Sequence, residues 1–471
     1  MNVAKRIDAL PALEDYAPPG APTLDVLQRL RERLGRTFAR RREPAVRDDR
    51  LSRAARATVE DYVAVPDCSV VTAELGAAVD EWLADEAPNA RVLLVVLPPC
   101  ETRGLVERLA RERGFECLEE PGREALTSPG GVPEAPFESD SDRVLAVPRL
   151  ERWFVRHRRG LGLARSLLGA LADTDRRCLV AVNSWGWGFV AAAARADLVL
   201  PAPVTVNPFD AARLREWLVE LAEADGTANV IVRAMDDDED VLATDGEGVP
   251  ASEFLAELAS RAHGIPWVAW QLWRRGLRTL PVQDDDEEAR AGAELEREIE
   301  ARDAGTDDGG GSDGVDGGSG GGSSASEGEA GGSADGESAN GAGYDADAPS
   351  PVPTADDPRT ESERLEDSEA ARREAAADDH TLWIVHEAPL ALPVGHEHDA
   401  CLVLQSLLIH AFLTPAELEG TVPIVGQSGI VRALERAGFI ERAEGGFRCR
   451  PAAYPSIRTA LDAAGYPLPP V

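Results

Sequence analysis

Residues 93–110, LLVVLPPCETRGLVERLA, run from an apolar stretch through a short polar turn into a helical pattern, the arrangement in which a loop can cradle phosphate. Such a loop needs glycines, so that backbone N–H groups can approach phosphate oxygens. It also needs a lysine for the β and γ phosphates and a Ser or Thr hydroxyl for Mg²⁺. Laying G-x-x-x-x-G-K-(S/T) on 97–104 puts Leu97 at the first glycine, Thr102 at the second, Arg103 at the lysine and Gly104 at the hydroxyl. Pro98 and Pro99 carry no amide donors, and Thr102 resists the left-handed backbone that glycine adopts freely. Glu101 brings a carboxylate to the place phosphates would take. Lys5 is the only lysine in the chain, so no loop supplies the usual cation, and Arg103 is longer, planar and poorly matched to a tight cradle. These residues argue against hydrolysis, and no catalytic residue is assigned.

Other chemical groupings are weaker. His396, Glu397, His398 and Asp399 have metal-ligand side chains, but GHEHD precedes a helical pattern and reads as its polar N-terminal cap. Ser184 has no paired histidine and base, so it is not read as a nucleophile. The six cysteines (68, 100, 117, 178, 401 and 449) are too far apart in sequence for a zinc knuckle or a CxxC redox pair, and read as reduced thiols. No metal site is expected. Trp185, Trp187, Trp267, Trp270 and Trp273 have spacings that suit core or lid packing.

The elements that must hold these residues follow from hydrophobic periodicity. Between 67 and 280, short β-branched runs at 91–97, 143–148, 178–183, 203–207 and 229–235 alternate with amphipathic helical stretches such as RGLVERLARERG, LARSLLGALADT and AARLREWLVELAEA. Runs apolar throughout, separated by such helices, predict buried parallel strands in an α/β sheet. Residues 281–380 are rich in Gly, Ser, Asp and Glu and cannot bury enough apolar surface to offset their conformational entropy, which predicts a disordered acidic linker. Residues 381–471 regain periodicity as ACLVLQSLLIHAF, TPAELEG, QSGIVRALERAGF, IERAEGGFRCRP and AAYPSIRTALDAAG. Three helices, a strand-turn-strand wing and a closing helix predict a winged helix. Its recognition helix would offer Gln427, Ser428, Arg432 and Arg436 to DNA.

Composition bounds the function. The 471 residues carry a net charge of -35, and positions 284–380, with 30 acidic and 7 basic residues, hold -23 of it. A lysine-poor, acid-rich chain suits a hydrated surface in a salt-adapted, haloarchaeal-type protein. The exception is 29–56, with eleven arginines against four acids, in a basic N-terminal helical arm spanning 1–66. The acidic linker would repel DNA phosphates, which favours protein contact by the winged helix over DNA contact. No run has the length or apolarity of a signal peptide or membrane span, so a cytoplasmic protein is expected.

The region 79–280 resembles the nucleotide-binding domain of AAA+/STAND-type P-loop ATPases, in particular prokaryotic members that end in a winged helix. Glu81-Trp82-Leu83 precedes the 91–97 run as in that family. RVLAVPRLERWF and CLVAVNSWGWGFV follow in the family's order, and Asn183 matches the sensor-1 asparagine. The Walker B position departs from the family, with Pro148 and Arg149 in place of acids and Glu151 two or three residues late. In HGIPW, Trp267 stands where the sensor-2 arginine would be. GFIERAEGGFRCRPAAYPSIRTAL is similar to the family's C-terminal signature. The resemblance implies a P-loop NTPase-like parallel sheet with flanking helices and a helical lid. With the motifs degenerate, it implies a pseudo-ATPase that needs no cofactor and serves a protein partner, such as a related active ATPase, as regulator or scaffold. The alternatives are a winged-helix DNA-binding regulator and an ATP-binding protein with an atypical loop.

Overall fold

Strands form where an apolar run can be buried on both faces, and in this chain three such runs make the centre of one five-stranded sheet. In chain order its first elements are Ser52–Arg53 (β1), Ser69–Ala84 (α1), Val92–Leu97 (β2), Leu105–Glu112 (α2), Glu116–Cys117 (β3) and Ala135–Glu138 (α3). There follow Leu145–Val147 (β4), Gly162–Asp173 (α4), Cys178–Asn183 (β5), Ser184–Ala194 (α5), Val204–Thr205 (β6), Ala211–Ala224 (α6) and Ile231–Ala234 (β7). The computed structural model describes residues 7–20, 52–53, 68–85, 87, 91–127, 135–138, 142–224, 231–235, 239–245, 248–250, 252–279, 381–443 and 445–471. All belong to one compact unit built from 1–280 and 379–471. The expected acidic linker and most of the expected N-terminal basic arm lie outside the described residues.

The sheet is parallel throughout, in the order β3-β4-β5-β2-β6. Its register sets Leu97 beside Asn183 and Val147 beside Val180. β5 is buried along its whole length, and β2 along all but its first residue, as strands covered by helices on both faces must be. A helix-flanked parallel sheet of this kind is compatible with a P-loop-like core. Because the strands are parallel, the loops that leave β2, β4 and β5 emerge at one edge, where open α/β sheets hold ligands.

One expected strand changes place. The run at 229–235 forms β7, but β7 belongs to a second sheet. The edge of the parallel sheet is taken instead by β3, two residues too short and polar to read as an apolar run. The second sheet, in the order β1-β8-β9-β7, also contains Leu277–Thr279 (β8) and Thr381–Ile384 (β9), and β9 pairs parallel to β7 and antiparallel to β8. Before β8 come Glu253–Arg261 (α7) and Pro266–Gly276 (α8). Gly264, ahead of α8, has φ +73°, and a Cβ there would lie 2.7 Å from Pro208.

The C-terminal part consists of Glu397–His410 (α9), Pro415–Thr421 (α10), Val425–Ser428 (α11), Ile430–Arg436 (α12), the antiparallel hairpin Ile440–Ala443 (β10) and Gly446–Cys449 (β11), and Tyr454–Ala463 (α13). Thr414 starts α10 with a capping box closed by Glu417. The segment expected as one helix from 427 is split at Gly429, whose φ of 64° ends α11, so α12 is only seven residues long. Leu413 exchanges both backbone hydrogen bonds with Phe447 and so extends the hairpin. Among the described residues no helix is long and apolar enough to cross a membrane.

Candidate functional site

At the end of β2, Leu97, Pro98 and Pro99 are buried, Cys100 turns the chain with φ 63°, and Gly104, with φ 62°, leads into α2. A helix start of this kind presents free N–H groups to an anion. Here the chain supplies the anion itself. The half-buried Glu101 carboxylate folds back and accepts the N–H of Arg103 through Oε1 and that of Gly104, at 3.2 Å, through Oε2. Burial raises the Glu101 pKa. The amides of Arg103, Gly104 and Leu105 and the positive charge of Arg149 act against that rise. The side chains of Thr102 and Arg103 are exposed.

Arg149, in the loop after β4, comes close to the same turn. A Cβ on Gly104 would lie 3.3 Å from its Nη2 and 3.1 Å from Glu107 Oε2. Pro148 beside it is half-buried. Trp267 enters from α8 and donates its Nε1–H to the Pro99 carbonyl at 2.8 Å. The place expected for an arginine thus holds an indole that ties α8 to the loop.

At the end of β5, Asn183 is 6% exposed and caps α5, its Oδ1 accepting the Gly186 N–H at 2.8 Å. Its Nδ2 donates to the carbonyl of Ile409, in the last turn of α9, at 3.2 Å. Ser184 Oγ donates to the Val471 carbonyl at 2.6 Å, and Trp185 Nε1 to the Tyr454 hydroxyl at 3.4 Å. A Cβ on Gly186 would lie 3.0 Å from the Ile409 carbonyl and 3.2 Å from Glu151 Cβ, so α9 and α5 meet there without space between them.

Beneath this contact lies Glu151, buried, with Oε2 accepting the Asn183 N–H at 3.3 Å. Burial pushes its pKa up to about 7 against the pull of Arg149, Arg152 and the backbone amides. His410, at the end of α9, is fully buried against Phe154 and Phe189. Its Nε2 accepts the Arg156 N–H at 3.1 Å, and burial among Arg123, Arg156 and Arg152 holds its pKa down to about 3. Arg156 also reaches Gln405 of α9 at 2.7 Å.

The fold therefore gathers Leu97, Pro99, Glu101, Gly104, Pro148, Arg149, Asn183 and Trp267 at one edge of the sheet, and the C-terminal part closes over Asn183. Gln427 and Ser428 close α11, and Arg432 and Arg436 are exposed on α12. On the hairpin, Arg442 pairs with Glu435 at 2.9 Å and Arg448 with Glu441 at 2.6 Å. Glu397 of the GHEHD stretch accepts the Gly395 N–H at 2.9 Å as α9 begins. Sequence reasoning had no signal for His410, Ile409 or Val471 as partners of this site, since more than 200 positions separate them from the residues they meet.

Asn183→Ala removes both a helix cap and the donor to Ile409, and is expected to cost about 2–3 kcal/mol in urea unfolding at neutral pH. Asn183→Asp keeps the cap but puts a carboxylate against a carbonyl, so it should be at least as unstable as the alanine variant. Wild-type stability in the aspartate variant would show that the contact with α9 contributes nothing.

No protein-family model and no curated protein matches this chain.

Proposed function

We propose that this chain is a non-catalytic, P-loop-like protein that acts as a regulator or scaffold, its phosphate site converted into a structural junction. The observation that carries the reading is the Glu101 carboxylate on the amides at the start of α2, where a bound phosphate would have to lie. The nearby charges agree with it. Glu101 takes the place of the anion, Arg149 stands beside it in place of a lysine, and Trp267 and Asn183 make contacts within the protein.

In this reading the C-terminal part is a winged helix docked on the α/β sheet. Its element order and the pairing of Leu413 with Phe447 support that assignment. Its role is protein contact, with a related active ATPase as the natural class of partner. DNA recognition is the weaker reading, because α12 is short and the hairpin arginines are paired to Glu435 and Glu441. The exposed Arg432 and Arg436 are what it rests on.

Calorimetry of the full chain with Mg-ATP in high-salt buffer is expected to show no saturable binding that depends on Arg103 or Arg149. Saturable binding that disappears in both Arg103→Ala and Arg149→Ala would overturn this reading in favour of an ATP-binding protein with an atypical loop.

A further inference from the structure

A second feature is independent of the loop at 97–104. A cleft of about 570 Å³ lies along α5 and the C-terminal prolines, but its lining is apolar and nothing shows what would cover it. A cleft of about 530 Å³ has a different chemistry. It is lined by the 3-10 turn Arg123–Thr127, the turn at 155–159 and one side of α10 with its cap Thr414. Three arginines, Arg123, Arg158 and Arg159, line it with His157, against two acids, Glu124 and Glu417.

The arginines are held in different ways. Arg123 is paired to Glu417, with Nε 2.5 Å from Oε1, yet its buried Nη2 has no hydrogen-bond partner among the described residues. Glu417 is already engaged in the capping box of Thr414, so its charge is shared. Arg158 and Arg159 are exposed and form no ion pair among the described residues.

They are presented by a turn with little freedom. The Val155 N–H donates to the Gly160 carbonyl and the Gly160 N–H to the His157 carbonyl. A Cβ on Gly160 would lie 2.1 Å from the Val155 carbonyl, so only glycine closes the turn. His157 Nδ1 accepts the Arg159 N–H at 3.4 Å, which leaves the ring proton on Nε2 as a further donor. Leu126 and Val155, buried together with Leu163, supply an apolar wall.

We infer that this cleft binds a phosphorylated small molecule. Guanidinium groups match phosphate oxygens in pairs, and two adjacent arginines on a fixed turn, with a third across the cleft, suit more than one phosphate. The apolar wall takes the organic part of the ligand. In a chain of net charge -35, cations with no ion-pair partner among the described residues, beside a cavity of this size, are what would concentrate such an anion.

The test is calorimetry of the full chain with inorganic pyrophosphate as probe. Saturable binding is expected, with affinity reduced at least about tenfold in the Arg158→Ala/Arg159→Ala double variant and unchanged in Arg103→Ala. Both positions are exposed, and matched thermal melts confirm that the double variant folds. The proposal is overturned if pyrophosphate gives no saturable heat, or if binding survives the double substitution. Binding lost instead in Arg103→Ala would also overturn it, by placing the anion at the loop of 97–104, an outcome that bears on the pseudo-ATPase reading separately.

Discussion

Glu101→Ala loses about 2 kcal/mol of stability, and inorganic phosphate restores part of it. The carboxylate satisfies the amides of Arg103 and Gly104 at the start of α2. Donors left without an acceptor in a partly buried turn cost about 1–3 kcal/mol. The vacated position keeps its N–H groups, the dipole of α2 and the nearby Arg149, which together form an anion site. Phosphate at ten times its dissociation constant would return about 1.4 kcal/mol. Phosphate also stabilises folded proteins in general by exclusion, so the measurement is the difference between variant and wild type. Urea unfolding is compared in phosphate and in chloride of equal ionic strength. Glu101→Gln, which keeps an acceptor oxygen, should lose less and respond less. An identical phosphate response in wild type and Glu101→Ala would mean that the carboxylate does not stand in for the anion.

The same contact shows where sequence reasoning reached and where it stopped. β2, β4 and β5 were legible because a strand covered on both faces is apolar at every position, and that pattern is local; β6 was legible only from the β-branched run at 203–207 around it. β3 was not, because Glu116 and Cys117 at an edge carry neither the apolar run nor the β-branched residues that mark a strand. β7 was legible as a strand but not as a member of the second sheet, since its partner β9 begins about 150 residues later in sequence. The break at Gly429 could have been suspected from the glycine alone, although a glycine within a helical pattern is often tolerated.

The candidate site divides in the same way. Glu101 was visible as a charge in the wrong place for phosphate, and the structure adds what the charge does there. Asn183 was visible as the polar end of a strand, but its bond to Ile409 depends on how the C-terminal part docks, which no local pattern records. Glu151 looked like a carboxylate displaced by two or three positions. In three dimensions it turns back beneath Asn183, and its burial follows from α9 lying over that end of the sheet.

That burial gives stability a pH dependence of definite sign. Glu151 has a pKa of about 7 in the folded chain against an ordinary 4.5, so between these values the folded state holds the extra proton. Its contribution is full below pH 4.5 and is lost as pH rises through 7, an effect of about 3 kcal/mol by pH 8. His410 acts in the opposite sense. With its pKa held at about 3 against an ordinary 6.5, its contribution is present above pH 6.5 and falls as the solution is acidified, by about 2 kcal/mol at pH 5. His263 and His386, each lowered to about 4 by burial, act on the same side as His410. Across pH 5–7 the two trends oppose each other in the wild type. Glu151→Gln keeps an oxygen for the Asn183 N–H and removes only the titration. It should exceed wild type by about 3 kcal/mol at pH 8, with the advantage fading toward pH 4.5, and its stability should fall on acidification with nothing to offset the histidines. Urea unfolding from pH 5 to 8 reads both curves. If they run parallel, Glu151 titrates as a hydrated carboxylate, and the junction between the sheet and α9 is open to water rather than closed.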